Sequence, residues 1–548
     1  MRTRMLGLAA LACAVIVPSA ARPDDAKASQ KAPALIVRLR SFNSTIADLS
    51  YLAAQVGKEE EAKQAVELLK ERIGKNGLDG IDVDKPIGGY VFAGPNGTDS
   101  YGAFMLPIKD EEAVLKVLAN NGLKVDKGKD GLYTIKDDRI RAPIFFRFAN
   151  GYAYVAPLSE AGLAKTKLLP PSEVLPESEK ALVSATIRID QIPDSIKEIG
   201  LAQLGFRVAD IREQHAERGT PAQKDLIDKT SKEANAQVKS IVNDGRELTL
   251  RVDVDRKNAD LAVTVSFDGK PGTKLASSIA DLGKNESLFA GLRGKDPAFS
   301  ILLAYALPER IQKAIGPAID EAIKDAVEKA KDETHKQLAE KLARALAPSL
   351  KAGEIDAAVE LRGPSANKHY TLVGGIKLKS GEEIEKTLKE LVTNLPQQVR
   401  DMVKLDAEKA GSVNIHRLEF DHFMDDNARE VFGNGAVFVA VRSNAIYFAG
   451  GENGLEAIKA ALAAKPAAAG LFQLDVSLAH LAPLMAREQP AAPKAAEDAF
   501  AKNPGQDKIS VRVTGGKAIK AEVHVKTAVL KFLAEIGEAR KAGSDNEK

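Results

Sequence analysis

Short apolar runs and polar residues alternate along the chain, and they predict strands separated by amphipathic helices. Residues 35–39 form a strand-like run, which a helical pattern through Ile46, Leu49 and Leu52 follows. Much later, residues 299–303 form a similar run before a helix that opens near Pro308. A period of two predicts a strand with one buried face, and a period near 3.6 predicts a helix.

The same series of elements occurs twice, which predicts an internal repeat. The apolar run 101–106 precedes a helix start at Asp110, and the run 370–375 precedes a helix start at Ser380. We expect Asp110 to cap its helix and Ser380 to form a capping box with Glu383.

A hairpin comes next in each predicted copy, and a glycine–leucine pair follows that we expect to begin a helix. The first hairpin turns at Asn150-Gly151, a composition typical of a type I′ turn. The other positions are the turn Ser443-Asn444, the helix starts at Gly162-Leu163 and Gly454-Leu455, and the closing strand pairs 248–254 with 261–267 and 509–513 with 519–525.

Long helices complete the pattern. The first copy has additional residues between Ile192 and Leu248, where an interruption at 219–221 predicts a helical hairpin. The second copy has a long amphipathic helix after its first strand, marked by Ile311, Ile315, Ile319, Ile323, Val327, Leu338 and Leu342. We therefore predict an α+β fold with two tandem copies of a mostly antiparallel sheet packed with helices. The predicted copies span 34–285 and 296–540, and a disordered tail follows at 541–548.

The first residues have the pattern of a secretory signal peptide. Arg2 and Arg4 precede an apolar run that Pro18 ends, and small residues follow near Ala21. A membrane anchor is the alternative, but the run is shorter than a bilayer span requires. We expect residues 1–21 to be removed, 22–33 to form a flexible lead-in, and the mature protein to reach the periplasm or the medium.

Composition then narrows the chemistry. Lys and Arg number 78 and Asp and Glu 76, so no global excess of positive charge indicates a nucleic-acid partner. The single cysteine, Cys13, lies in the predicted signal peptide, and a mature chain without it has no disulfide, cysteine-ligated metal or thiol nucleophile. The chain has no nucleophile elbow, zinc-protease motif, Walker loop or dinucleotide fingerprint. We expect no cofactor.

Two groups of residues have the composition of a metal site. His416, His422 and Asp425 form the densest cluster of histidine and carboxylate, although a solvated strand end with an acidic loop explains it without a metal. Asp79, Asp82 and Asp84 resemble a calcium loop, but no closing glutamate follows them, and a turn between helix and strand is the better interpretation.

Aromatic residues concentrate between 145 and 154. Together with Arg141 and Arg147 they have the composition of a stacking platform for single-stranded nucleic acid or sugar. The alternative is a sheet core with cross-strand aromatic pairs, which the β-propensity of these residues favours.

In order and spacing, the first predicted copy resembles a group of exported bacterial proteins with no assigned activity. The resemblance rests on the segment 77–90, the strand and helix start at 103–112, the strand at 131–133, the hairpin at 150–152 and the segment 187–193. This resemblance implies an exported α+β protein and identifies no catalytic residue.

We therefore favour a non-catalytic binding or structural role in the cell envelope. An exported hydrolase with catalytic residues scattered along the sequence is a second hypothesis. A carrier of apolar ligands, with a cleft between sheet and long helices, is a third.

Overall fold

The computed structural model describes residues 32–73, 78–137, 142–157, 159–203, 221–328 and 333–546. The predicted signal peptide and most of the lead-in lie outside these residues. The internal contacts divide the chain into unit 1, Met1–Ala202 with Ser240–Ala276, and unit 2, Gln203–Lys239 with Ser277–Lys548. No described helix combines the length and the apolar run that crossing a membrane requires.

Unit 1 contains an antiparallel sheet of ten strands among the described residues. Its strands are β1 (Leu35–Leu39), β2 (Ile87–Phe92), β3 (Tyr101–Pro107), β4 (Lys124–Lys127), β5 (Leu132–Lys136), β6 (Ile144–Ala149), β7 (Tyr152–Pro157), β8 (Val183–Arg188), β9 (Gly245–Asp255) and β10 (Asp260–Gly269). Neighbouring strands pair in the order β10-β9-β8-β1-β2-β3-β7-β6-β5-β4.

The helices of unit 1 connect these strands. They are α1 (Phe42–Gln55), α2 (Glu59–Ile73), α3 (Glu111–Asn120) and the short α4 (Pro171–Val174). Two further helices, α5 (Pro221–Asp244) and α6 (Lys274–Leu282), each include a point where the chain passes between the units. The core of unit 1 lies on the sheet face that Ile36, Tyr90, Met105 and Tyr154 share with Val174.

Unit 2 contains ten described strands in antiparallel pairing and a short pair, β11 (Glu286–Ser287) with β19 (Ala467–Ala468). The sheet strands are β12 (Phe299–Ala306), β13 (Glu354–Arg362), β14 (Thr371–Lys377), β15 (Val403–Ala410), β16 (Val413–Glu419), β17 (Ala436–Arg442), β18 (Ala445–Gly451), β20 (Phe472–Ser477), β21 (Lys508–Thr514) and β22 (Ile519–Lys526). They pair in the order β22-β21-β20-β12-β13-β14-β18-β17-β16-β15.

The helices of unit 2 include a long antiparallel pair and a group near the C-terminus. They are α7 (Glu309–Glu328), α8 (Glu333–Lys351), α9 (Gly381–Thr393), α10 (Gln397–Arg400), α11 (Asp426–Phe432), α12 (Gly454–Ala463), α13 (Leu478–Met485), α14 (Ala492–Phe500) and α15 (Thr527–Asn546). The α7 and α8 helices pack on each other, and α8 also packs on α9. The mixed, mostly antiparallel architecture that the sequence predicts is confirmed within each unit.

Several local predictions are confirmed because short-range chemistry determines them. Asn150 and Gly151 have φ angles of 52° and 73°, as a type I′ turn requires at both central positions. The carboxylate of Asp110 caps α3 by accepting a hydrogen bond from the Ala113 amide at 3.1 Å. The predicted interruption at 219–221 falls largely on residues 204–220, which lie outside the described residues, and α5 is described from Pro221 to Asp244.

Other local predictions are wrong because tertiary packing overrides them. Ser380 adopts a left-handed conformation (φ 61°) and makes no side-chain cap, since Gly381 packs so closely on the Arg442 carbonyl that a side chain there would collide with it. Leu163 ends a 3₁₀ turn, Glu160–Leu163, where we expected a helix to begin, and its side chain is buried in the core.

Three segments also differ from their predicted extent. The apolar pattern does not predict two strands, β2 because of its glycines and β13 because of its acidic residues. The single long helix expected after residue 308 is two helices, α7 and α8. The tail expected to be disordered from residue 541 continues α15 as far as Asn546.

We predict that Asp110→Ala lowers the free energy of unfolding by about 1 kcal/mol, because the amide of Ala113 loses its acceptor. Ser380→Ala, the control, should change it by no more than a few tenths, since this serine makes no cap. Urea denaturation followed by circular dichroism measures both values. Equal losses in the two variants would contradict the assignment of the caps.

Candidate functional site

One described group of side chains meets the distance criterion for a metal site. Glu385 on α9, Asp406 on β15 and His416 on β16 each place one potential ligand atom within 4.8 Å of the others. His416 is a residue that we singled out from the sequence, whereas Glu385 and Asp406 come from distant segments. Sequence spacing could not identify Glu385 and Asp406, because they approach His416 only once unit 2 folds and α9 packs against the β15–β16 hairpin.

Lys389 lies in the middle of this group, which we call the His416 cluster. Its Nζ is 2.9 Å from Oε1 of Glu385 and 2.9 Å from Oδ1 of Asp406. These hydrogen bonds raise the pKa of Lys389, with the bond to Asp406 as the largest cause. The two carboxylates therefore already share a cation that the protein supplies.

The imidazole of His416 is buried and its tautomer is fixed. The backbone amide of Asp406 donates a hydrogen bond to Nδ1 at 3.0 Å. Because a neutral imidazole has one protonated nitrogen, the proton lies on Nε2, which is 3.4 Å from Oε1 of Glu385. Burial lowers the pKa of His416, and the nearby carboxylates of Asp406 and Glu385 oppose this effect.

These contacts do not fit a bound divalent metal. Ligation through Nε2 needs a lone pair where the tautomer has a proton, and Nδ1 already accepts a hydrogen bond. A metal would also have to displace the ammonium group of Lys389 from both carboxylates. The cluster is therefore a partly exposed ion-pair network beside a buried, neutral histidine.

The structure separates the other residues of the predicted metal site from His416. His422 is exposed in the turn after β16, and Asp425 caps α11 by accepting a hydrogen bond from the Ala428 amide at 2.7 Å. That hydrogen bond is the main reason why the pKa of Asp425 lies below its usual value.

The predicted calcium loop is a turn between helix and strand. Asp82 pairs with Lys85 at 3.2 Å, and Asp84 accepts a hydrogen bond from Asn43 at 2.8 Å. Asp79 lies in the same turn, where Gly80 has a left-handed φ of 83°. The oxygen atoms of these three carboxylates do not all lie within 4.8 Å of one another, as the ligand atoms of the His416 cluster do.

The aromatic residues of the predicted stacking platform belong to the core of unit 1. Phe146, Tyr152 and Tyr154 are buried, and Phe146 stacks on Tyr133 with ring centroids 5.0 Å apart. Arg147 is also buried and donates to the carbonyl of Leu163 at 2.8 Å, while Arg141 lies outside the described residues. The sheet-core alternative accounts for these side chains.

A serine, a histidine and a glutamate also meet in unit 2, but not in the order of a catalytic triad. Ser365 donates directly to Glu452 at 2.6 Å, and Nδ1 of His369 lies 3.7 Å from the same glutamate. Hydrogen bonds from Ser365 and Asn367 lower the pKa of Glu452. The backbone amides of Asn367 and His369 donate to the Ser365 hydroxyl at 3.2 and 3.3 Å, but Nδ1 of His369 has no hydrogen bond to it. The imidazole is therefore not placed to take the serine proton, and the serine closes a loop.

Buried carboxylates elsewhere in unit 2 serve as anchors for the chain. Glu360 is fully buried and accepts hydrogen bonds from the Gly294 amide at 2.8 Å and from Arg362 at 2.6 Å. Asp356 in the same strand accepts from Ser287 at 2.6 Å and from the Leu288 amide at 2.8 Å. These bonds tie the segment before β12 to the sheet.

A small cavity lies beside these anchors. It measures ≈ 20 Å³ and is lined by Phe289, Leu292, Arg293, Ser300 and Asp475, among others. This volume admits about one water molecule. Arg512 holds Asp475 in place with two hydrogen bonds of 2.6 and 2.7 Å.

Four neighbouring strands of unit 1 leave an apolar face partly open. In β1, β8, β9 and β10, three rows of paired residues point to this side, and we call them the open apolar face. The rows are Leu35, Ile187, Leu248 and Phe267; Val37, Ala185, Leu250 and Val265; and Leu39, Val183, Val252 and Val263. None of the twelve is fully buried, and Ile187, Leu250 and Val265 are 36%, 42% and 39% exposed.

The opposite face of the same strands carries polar residues that are covered. Ser184 and Thr186 are buried there, and Arg38 donates to the Val174 carbonyl at 2.6 Å. Arg251 pairs with Glu179 at 3.0 Å. On β8 the polar side is therefore buried, while the apolar side of the four strands remains partly accessible.

Unit 2 has the same alternation, but its helices cover part of the apolar side. Val476, Ile509 and Val525 form one row and pack against the core of α13, α14 and α15. Ile355 and Ile376, on β13 and β14, remain exposed on this side.

No protein-family model matches the chain, and no curated protein or solved structure shows significant similarity to it.

We predict that Glu360→Gln lowers the free energy of unfolding by about 2 kcal/mol, because Arg362 loses its charged partner beside a buried anchor. Glu354→Gln, on the same strand, removes a more exposed ion pair with Lys377 and should cost less than about 0.5 kcal/mol. Urea denaturation of both variants measures the difference. If the Glu360 variant is as stable as the control, the carboxylate is not an anchor.

Proposed function

We propose that the protein is an exported, non-catalytic binding protein whose ligand is an aliphatic chain, such as the acyl chain of a lipid. The observation that carries this proposal is the open apolar face of unit 1. Large accessible apolar patches on folded proteins mark sites where another molecule binds.

The composition of the face favours an aliphatic ligand over a protein partner. Eleven of its twelve residues are aliphatic, and Phe267 at the edge is the exception. Protein interfaces are enriched in tyrosine, tryptophan and arginine, which supply directional contacts. A surface of branched aliphatic side chains offers only nondirectional contacts, which suit a flexible hydrocarbon chain.

The energy available is sufficient for binding. A chain that covers roughly 200 Å² of apolar surface gains about 5 kcal/mol from its removal from water. Loss of translational freedom and ordering of the chain oppose this gain, so we expect modest affinity for a single chain.

The role of the buried charges supports a function without catalysis. Glu360 and Asp356 hold backbone amides, and Ser365 hydrogen-bonds to a glutamate without an intervening histidine. Each group is engaged in a contact that stabilises the fold. The hydrolase hypothesis gains no support from these arrangements.

Export and duplication are part of the same proposal. The signal-peptide pattern at residues 1–21 supports export. A tandem duplication is supported by strand order, because β1 to β10 and the ten sheet strands of unit 2 pair in the same sequence when β1 is set against β12. Under this proposal the open apolar face corresponds to the apolar side of the unit 2 strands, part of which α13, α14 and α15 cover.

We predict that Leu250→Lys weakens the binding of a pyrene-labelled long-chain fatty acid at least about tenfold, because the ammonium group would have to lose its hydration against the ligand. Leu68→Lys is the matched control, since Leu68 is 53% exposed on α2 and is not one of the twelve residues of the face. Fluorescence titration of the full chain gives both dissociation constants. Equal affinity in the two variants, or no binding by the unaltered protein, would refute the proposal.

A further inference from the structure

The β15 strand contains an irregularity opposite His416. Lys404 pairs with Arg417 and Glu408 pairs with Ile415, so residues 405–407 on β15 face a single residue, His416, on β16. Asp406, at the centre of this bulge, has a left-handed φ of 51°. Its amide donates to Nδ1 of His416, which takes the place of a backbone carbonyl in the strand ladder.

We infer that His416 is a proton-sensitive latch that holds the β15 bulge against α9 while neutral and releases it when protonated. This inference is independent of the proposed ligand.

The first argument concerns hydrogen bonding. The lone pair of Nδ1 accepts the Asp406 amide, and an imidazolium has no lone pair at either nitrogen. Protonation therefore sets two N–H groups against each other at a distance of 3.0 Å. The amide of Asp406 has to move away, and the bulge loses the contact that maintains its shape.

The second argument concerns charge. The charged groups facing His416 are Glu385 and Lys389 from α9 and Asp406 from β15. In the neutral state Lys389 bridges both carboxylates. A positive imidazole competes with Lys389 for them, so the bridge between α9 and β15 also weakens.

The third argument concerns the position of the bulge. Within the described residues β15 pairs only with β16, so it is an edge strand. An edge strand has few other contacts to maintain its register when one is lost. Since burial lowers the pKa of His416, protonation favours the opened form, and the opening occurs below the ordinary histidine range.

Hydrogen exchange of the full-length protein, corrected for the intrinsic effect of pH, tests the latch. Between about pH 7.5 and about pH 5 we expect the protection of residues 403–410 to fall about tenfold. His416→Asn keeps an acceptor near Nδ1 that cannot be protonated, and its protection should not change with pH. His422→Asn, an exposed histidine, is the control and should behave as the unaltered protein does.

A second pair of variants tests whether the charge of His416 controls the opening, because a purely structural role of His416 would leave the pH dependence of protection unchanged. Glu385→Gln removes a charge that stabilises the imidazolium in the closed form, so it should increase the loss of protection at acid pH, whereas Glu382→Gln on the same helix should leave that loss unchanged. Constant protection in the unaltered protein would overturn the inference. Loss of protection with the same pH profile in the His416→Asn variant would do so too.

Discussion

The structure depends on one constraint: successive side chains of a strand point to opposite faces of the sheet, and other segments of the chain cover one of these faces. In unit 1, the covered side carries Thr186 and Arg251, whose polar groups must find partners once they lose water. The accessible side carries the aliphatic rows. Register fixes both sets together, because a shift of one residue would exchange the two faces.

This arrangement links the polar contacts of two arginines to the proposed binding surface. Arg38 and Arg251 engage Val174 and Glu179, which lie in the segment between β7 and β8. That segment covers the polar face, and its contacts leave the aliphatic rows on the other side accessible. Under the proposed function, these polar contacts help to determine which face is covered and do not react with a ligand.

Sequence periodicity predicts much of the fold, and local chemistry predicts several of its details. Alternation identifies β8, β9 and β10, and the Asn150-Gly151 turn follows from its two residues alone. The sequence pattern does not predict the strands β2 and β13, because Gly88 and Gly89 in β2 and the buried acidic residues of β13 interrupt the apolar alternation. Ser380 makes no cap because its neighbour Gly381 packs on the carbonyl of Arg442, roughly sixty residues further along the chain. Local sequence preferences cannot predict such a contact.

The proposed binding surface is harder to predict than the fold. Alternation reveals that β9 has one apolar face, but not whether that face is covered, since this depends on other segments. His416 stands out in the sequence, yet its partners Glu385 and Asp406 are recognised only when α9 and β15 are placed beside it. Lys389 then changes the interpretation from a metal site to an ion-pair network.

Photo-crosslinking with a diazirine-bearing long-chain fatty acid tests the central claim most directly, because it locates the bound chain. The account predicts that mass spectrometry finds the label on β9 and β10, at residues 248–252 and 263–267, and that excess unlabelled fatty acid removes it. Labelling that avoids these strands, or that unlabelled fatty acid does not compete away, would contradict the account.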